Sequence, residues 1–534
     1  MENVSAAFDI LDGERQPSPM HIKLQTNMIF DVKMDFTRKA RYVGRGDKVP
    51  TPEESTFAGV VSRDSVRIAL TYAALNDLKV TAADIQNAYL QAPCTEKYYI
   101  ICGPEFGPEN EGKKALVVRA LYGLPGAGRD FRNHLRDCMR HLGYDSCLAD
   151  PDVWMRKGKK DSGEEYWEYM LLYVDDALSI SSHGEAPIRE LGKYFKIKES
   201  SIGPPLIYLG GKMSEVVLPN GVKAHAFSPS QYVQEAVNNV EKHLAQRNMK
   251  LKKKATAPIT TAYRPELDAS PELDPTDAAY YQSVIGILRW AVELGRIDIT
   301  CEVSMLSSHL ALPREGHMQQ VYHIFAYLKC HHNSRIVFDP TYPTIDYDNF
   351  PRKDWTSSYG DIKEEIPDNA PETRGEGFIM TAYVDADHAG DKLTRRSRTG
   401  YIIFLNMAPI YWHSKKQTSV ETSSFGSEFV AMKHCTEYIR GLRYKLRMMG
   451  IPVQDPTYVY GDNKSVLYNS TLPESTLKKK SNSIAYHYVR DGTARDEWRL
   501  AYVNTHTNPS DIMTKAVPGG EKRLYLVRMM MWDI

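Results

Sequence analysis

The run Met170-Leu171-Leu172-Tyr173-Val174-Asp175-Asp176-Ala177-Leu178-Ser179-Ile180 interrupts its own pattern: strand-like at both ends, it carries two adjacent carboxylates at its centre. Strand interiors disfavour Asp, so the pattern predicts a strand-turn-strand over 168–181 with the pair at its tip. Around it, from Ile29 to about Leu209, strand-like and helix-like segments alternate, as in a mixed α/β domain. Val66, Ile68, Ala69, Ala73 and Leu75 fall at helical spacing and predict a helix over 63–78. Lys79 to Ile85 reads as a strand carrying Asp84 near its end, and Asp130 to Leu142 as a helix. Residues 1–25 read as a loose leader.

A helix-rich region follows over about 211–340. Ser230 to Arg247 is amphipathic, and Tyr280 to Ala311 and Glu315 to Lys329 read as two longer helices joined near Pro313. The stretch from Asp339 to Gly377 is rich in Pro, Asp, Glu, Ser and Gly without periodicity, which predicts a linker. From Met380 the pattern becomes regular again. A strand, Thr381 to Val384, leads into Asp385, and strands are predicted over Gly400–Leu405 and Ile410–His413. A long helix spans about Ser427 to Met449 and stops at Gly450. A further strand, Thr457 to Tyr460, runs into Gly461-Asp462.

The chain has 534 residues, enough for about three or four domains. With 42% apolar and 25% charged residues it has ordinary globular composition, which excludes a mostly disordered chain. The 67 basic and 67 acidic residues cancel, which argues against a bulk polyanion binder but leaves room for a local basic groove. Lysine clusters at Lys250-Leu251-Lys252-Lys253-Lys254 and Lys478-Lys479-Lys480 read equally well as solvated surface or as phosphate contacts. Seven cysteines without a C-x-x-C pair indicate a reducing compartment and no structural zinc. The polar, acidic start is no signal peptide, and no apolar run reaches the roughly 18 residues of a membrane span. The expectation is a soluble, intracellular protein.

A buried, unpaired carboxylate is costly, and two adjacent ones repel unless a cation lies between them. The natural compensator is a divalent ion on oxygen ligands. Asp84 at a strand end and Asp175-Asp176 at a hairpin tip could hold two such ions about 4 Å apart, an arrangement suited to phosphoryl transfer. The stretch from Met380 repeats the logic: Asp385 after one strand, Glu428 in the first turn of the long helix, Asp462 ending another strand, and Asp511 opening Ser510-Asp511-Ile512-Met513-Thr514-Lys515. Singly, each has a plain alternative as a cap, dipole partner or turn residue. Jointly they suit a two-metal hydrolytic site.

These strings, in order, resemble the reverse transcriptase–ribonuclease H part of copia-type LTR retrotransposon polyproteins. The resemblance begins with Arg38-Lys39-Ala40-Arg41-Tyr42-Val43 and continues with Ala83-Asp84-Ile85-Gln86-Asn87-Ala88-Tyr89-Leu90, Ala120-Leu121-Tyr122-Gly123-Leu124, Tyr173-Val174-Asp175-Asp176 and Tyr208-Leu209-Gly210. It runs on through Gly295-Arg296-Ile297-Asp298-Ile299, Tyr383-Val384-Asp385-Ala386-Asp387-His388-Ala389-Gly390-Asp391, Ser414-Lys415-Lys416-Gln417, Ser427-Glu428-Phe429, Gly461-Asp462-Asn463 and the Asp511 segment.

The resemblance implies an α/β (α+β) right-hand polymerase over 26–210, a helix-rich thumb and connection over 211–338, a linker over 339–379 and a ribonuclease H-like domain over 380–534. It implies an RNA-directed DNA polymerase with ribonuclease H activity, with Mg²⁺ (or Mn²⁺) on Asp84, Asp175 and Asp176 and on Asp385, Glu428, Asp462 and Asp511. Lys39 and Arg41 match basic fingers residues on the triphosphate, and Tyr89 matches the aromatic that excludes a ribose 2′-hydroxyl. Tyr208 and Gly210 match the primer-supporting hairpin. His506 corresponds to a histidine assisting proton transfer. The implied partners are an RNA template, a DNA primer, an RNA–DNA hybrid and dNTPs, in the cytoplasm (including virus-like particles) or nucleus.

Two departures stand out. Leu124-Pro125-Gly126-Ala127-Gly128 lacks the glutamine common after Tyr-Gly, and Ser424-Phe425-Gly426-Ser427-Glu428 replaces the usual Ser-Thr-Glu-Ala-Glu. Two alternatives therefore stand beside the enzyme: a decayed or domesticated nucleic-acid-binding protein, and a chain active only as a nuclease.

Overall fold

The computed structural model describes residues 7–32, 38–477 and 480–534; Lys478 and Lys479 of the second lysine cluster lie outside them. The chain divides into two units, Met1–Val66 with Leu78–Pro204, and Arg67–Asp77 with Pro205–Ile534.

In the first unit the stretch expected as a loose leader is partly built into a sheet. Strand β1 (Phe8–Ile10) and β2 (Ile22–Lys23) flank β6 (Tyr98–Ile101) and β7 (Lys114–Val117) in the order β1-β7-β6-β2. Phe8 is drawn in by a cluster that includes Tyr42, Tyr98, Ile100 and Val117. A separate antiparallel ribbon joins β3 (Thr26–Val32) to β4 (Arg38–Gly44), pairing Ile29 with Arg41 and Asp31 with Lys39.

The main sheet has the order β5-β11-β10-β9-β8, from β5 (Lys79–Asp84), β8 (Asp145–Cys147), β9 (Asp150–Lys159), β10 (Glu165–Tyr173) and β11 (Asp176–Ser181). Its central strand β10 is buried from Tyr166 to Leu172, which explains a continuous apolar run in place of strict alternation. Helix α2 (Ala127–His141) packs Phe131, Leu135 and Met139 against Met170, Leu172 and Ala177 of this sheet. It follows in sequence helix α1 (Arg63–Leu75), which begins in the first unit and has its body in the second. There the Arg67 guanidinium donates to the carbonyls of Glu293 (2.6 Å) and Ile410 (2.8 Å) and lies over the Trp412 ring.

The second unit contains a sheet in the order β12-β13-β14-β15, from β12 (Ile207–Tyr208), β13 (Gly211–Val217), β14 (Lys223–Ser228) and β15 (Ile336–Phe338). With it come helices α3 (Ser230–Gln246), α4 (Pro275–Glu293), α5 (Thr300–Ser307) and α6 (Glu315–Cys330). The helix expected over 280–311 is two helices. The chain turns at Gly295, whose φ of +115° no helix tolerates. The fully buried Arg296–Asp298 ion pair, at 2.7 Å, fixes the break.

The remaining sheet has the order β18-β17-β16-β19-β20, from β16 (Phe378–Asp387), β17 (Arg398–Leu405), β18 (Ala408–Lys416), β19 (Val453–Gly461) and β20 (Trp498–Tyr502). β16, β17 and β18 are antiparallel neighbours, whereas β19 and β20 join in parallel. This sheet lies within the stretch for which the resemblance implied a ribonuclease H-like domain. Helix α7 (Ser424–Met448) crosses the sheet and is capped by Ser423, whose side chain accepts from the Gly426 N–H. The 339–377 segment has little regular structure but is packed. Ile345 and Phe350 bury against Tyr458, and Glu364 accepts from Arg443 (2.7 Å) and Arg447 (2.5 Å). No helix among the described residues is long and apolar enough to cross a membrane.

Candidate active sites

In the first unit, the register sets the carboxylates. Asp176 pairs directly with Asp84 across β11 and β5, and Tyr173 pairs with Asp176 to close a two-residue turn at Val174-Asp175. The Ile85 N–H donates to the Asp175 carbonyl at 2.8 Å, tying the turn to the end of β5. Val174 has φ +57°, a conformation that a β-branched residue adopts only where its surroundings force it. Like charges directly opposite each other destabilise a sheet. The carboxyls register this: burial, then Asp175 and Asp84, push Asp176 up to about 6. Burial and Asp84 also raise Asp175, while Lys39 and Arg41 pull it back. The two ribbon cations therefore act on the Asp175 carboxyl.

Tyr89 lies on the short helix Ala88–Gln91, entered through Asn87 in the left-handed conformation. Its ring packs on Tyr122 (centroids 4.8 Å apart) and Phe131 (6.0 Å). Tyr208 and Gly210 belong to the second unit. Leu209 (φ +49°) and Gly210 (φ +85°) make the two-residue turn between β12 and β13. The Tyr208 ring is only 4% exposed; the hairpin instead offers Leu206 (75%) and Ile207 (64%) to solvent.

The second carboxylate centre lies at the middle of the mixed sheet. Parallel pairing of Val384 with Gly461 sets Asp385 and Asp462 side by side. Glu428 reaches them from the second turn of α7, one turn later than the sequence suggested, so its cap and dipole alternatives fall away. Asp385, Glu428 and Asp462 bring ligand atoms within 4.8 Å of one another. Burial, then Asp462 and Asp511 against the pull of Lys515, pushes Asp385 up to about 6. Burial, Asp385 and Asp462 push Glu428 well above the usual carboxylate range.

Asp511, at the start of α8 (Asp511–Thr514), is fully buried but not in that trio; it pairs with Lys515 and, at 2.7 Å, with Lys522. The Thr514 hydroxyl donates to Asp385 at 2.5 Å. This approach needs Gly400 on β17, because a Cβ there would meet Thr514 Cγ2 at 2.6 Å. His506 is exposed on the turn Thr505–Thr507, its own N–H donating to Asn504. Two residues that sequence reasoning passed over stand closer. Lys515 is the ammonium acting on both Asp385 and Asp511, and its i+4 spacing from Asp511 was a readable signal. His388 lies 3.3 Å from the Ser427 hydroxyl, next to Glu428.

Among the described residues, one other trio is as close: Cys94, Glu96 and Asp130. There Arg129 already neutralises Glu96 and Asp130, each at 2.8 Å, so the group is an ion-pair network. Asp84, Asp175 and Asp176 are not among the mutually close trios.

A mixed α/β chain with carboxylates gathered at two strand-end centres is the class that fold and geometry define. Residues 8–242 match the family described as reverse transcriptase (RNA-dependent DNA polymerase). The chain is 27% identical over 484 residues, 89% of its length, to the retrovirus-related Pol polyprotein from transposon RE1 of Arabidopsis thaliana. It is 27% identical over 516 residues, 93% of its length, to that from transposon TNT 1-94 of Nicotiana tabacum. It spans 29% and 34% of those two proteins. Among solved structures it is similar to a foamy viral protease-reverse transcriptase in complex with dsDNA, with a TM-score of 0.47 and 13% identity over 94% of this chain and 80% of that one. Residues 8–242 thus resemble a reverse transcriptase region, and the chain as a whole is similar to part of retrotransposon Pol polyproteins.

Proposed function

We propose that the chain is an RNA-directed DNA polymerase that also cleaves the RNA strand of an RNA–DNA hybrid. The observation that carries the polymerase reading is the cross-strand pair Asp84–Asp176 with Asp175 on the adjoining strained turn. A hard divalent cation fits such donors: they are all carboxylate oxygens, and the raised proton affinity of Asp175 and Asp176 marks an uncompensated negative site. Asp84, Asp175 and Asp176 would hold Mg²⁺ there, with Mn²⁺ as a substitute; Asp385, Glu428 and Asp462 would do so in the second unit, with Asp511 joining once released from its lysines. The bound ions supply charge neutralisation at the attacking and leaving oxygens of phosphoryl transfer.

The chain's own residues do the rest. Lys39 and Arg41 face Asp175 and would bind the triphosphate of a dNTP. The Tyr89 ring, backed by Tyr122 and Phe131, would exclude a 2′-hydroxyl. The hairpin at Leu209-Gly210 would support the DNA primer. At the nuclease centre Thr514 orients Asp385. His388 or His506 would carry a proton to or from the departing strand.

The test is primer extension on an RNA template with Mg²⁺, run beside cleavage of an RNA–DNA hybrid. Asp176→Asn should abolish extension and spare cleavage, and Asp385→Asn should do the reverse. Well-folded wild-type protein that extends no primer with either Mg²⁺ or Mn²⁺ would leave only the nucleic-acid-binding or nuclease-only reading.

A further inference from the structure

In the segment Ala120-Leu121-Tyr122-Gly123-Leu124, Tyr122 enters the function above only as packing behind Tyr89, yet its geometry gives it more to do. Ala120 and Leu121 are buried anchors, and Tyr122 turns a half-buried ring onto Tyr89, 4.8 Å between centroids and 37° between planes. Among the described residues neither phenol hydroxyl has a hydrogen-bond partner. Burial raises the proton affinity of the Tyr122 hydroxyl, and Asp175, Arg41 and Asp84 all act on it, so it looks onto the carboxylates and the ribbon cation together.

The backbone here is clamped to the ribbon. The Gly44 N–H, at the end of β4, donates to the Tyr122 carbonyl (2.8 Å), and the Gly46 N–H donates to the Gly123 carbonyl (3.1 Å). The two chains touch so closely that a Cβ on Gly123, which has φ +87°, would meet the Gly44 carbonyl oxygen at 2.2 Å. A side chain on Gly46 would meet the Gly123 oxygen at 2.1 Å. The strand that carries Lys39 and Arg41 thus fixes where Tyr122 stands, and Tyr122 gives Tyr89 a second aromatic contact beside Phe131.

We propose that Tyr122 is a second specificity-determining residue of the polymerase centre, whose ring braces Tyr89 and forms the adjoining wall of the space taken by the sugar of the incoming nucleotide. The proposal rests on the polymerase reading above. A ring packed on both Tyr122 and Phe131 swings aside for a 2′-hydroxyl less readily than one packed on Phe131 alone. Loss of Tyr122 therefore loosens the gate without touching a carboxylate.

The experiment is single-nucleotide incorporation by the full chain on an RNA template, with a dNTP and the matching rNTP, for wild type, Tyr89→Ala, Tyr122→Ala, Tyr122→Leu and Tyr122→Phe. Tyr122→Ala should lower the dNTP-over-rNTP preference by about tenfold, mainly by raising the dNTP KM and lowering the rNTP KM. Tyr122→Leu, which keeps most of the volume should alanine not fold, should give a smaller loss in the same direction. Tyr122→Phe should stay close to wild type. An unchanged preference in both the Ala and Leu variants, while Tyr89→Ala loses it, would overturn the proposal and leave the polymerase reading intact. So would a Phe variant as impaired as Ala, since the ring would then not be what matters. A wild type that extends no primer would overturn the polymerase reading itself, and this proposal with it.

Discussion

Replacing Asp385 by Asn should stabilise the metal-free protein at alkaline pH while abolishing hybrid cleavage. Asp385 is 4% exposed, and its carboxyl is pushed from 3.8 to about 6 by burial and by Asp462 and Asp511. Above pH 6 it is ionised in both the folded and unfolded chain, so the folded state bears the whole cost of the buried charge. The gap between the two values corresponds to about 3 kcal/mol. Below pH 3.8 it is protonated in both states and the cost vanishes. Stability from this group is therefore lost as pH rises through that window. Asn removes the charge and keeps an oxygen for the Thr514 hydroxyl, but leaves an amide NH₂ to satisfy, so the net gain at pH 8 should be about 2 kcal/mol. The assay is urea denaturation in EDTA at pH 8 and pH 4 for both proteins. The gain should shrink towards zero at pH 4. Adding Mg²⁺ should raise wild-type stability more than that of the variant. A variant no more stable than wild type at pH 8 in EDTA would refute the reasoning.

Three further outcomes follow from the same geometry. Tyr89→Ala should raise ribonucleotide incorporation by roughly tenfold or more in primer extension, because the ring beside Asp175 is what a 2′-hydroxyl would meet. Gly400→Ala should drive α8 away from β17 and break the Thr514–Asp385 bond, so hybrid cleavage should fall well before primer extension does. Arg296→Met should cost about 3–5 kcal/mol in thermal or urea unfolding by leaving Asp298 buried without its partner, and Arg296→Met with Asp298→Leu should recover much of that loss.

The strand-turn-strand at 168–181 was legible because two carboxylates in an apolar strand have few explanations, and β10 and β11 meet at that turn. The helix over 280–311 was misread because apolar periodicity runs on across Gly295, while the buried Arg296–Asp298 pair that enforces the break joins residues only two apart. The 339–377 segment reads as a linker by composition, and nothing local reveals that Phe350 fits against Tyr458 or that Glu364 collects two arginines from α7. Tyr208 could be found by motif but its inward orientation could not, since the direction of a ring at a strand end is set by what lies beneath it.

By itself the sequence singled out the candidate side chains: seven carboxylates, the ribbon cations Lys39 and Arg41, and an aromatic five residues after Asp84. The carboxylates were readable locally, because a strand end or turn displays whatever residue occupies it, whereas Lys39, Arg41 and Tyr89 were marked out by the resemblance. Tertiary structure alone decided which of them meet. Sheet register sets Asp84 opposite Asp176, and parallel pairing brings Asp385 beside Asp462. Two lysines hold Asp511 out of the trio it was expected to complete, and a ribbon clamped at Gly44 sets Tyr122 on Tyr89. These pairings join residues far apart in the chain, and it is burial and charge repulsion at the point of meeting, absent from any single segment, that shift the carboxyls and give the sites their chemistry.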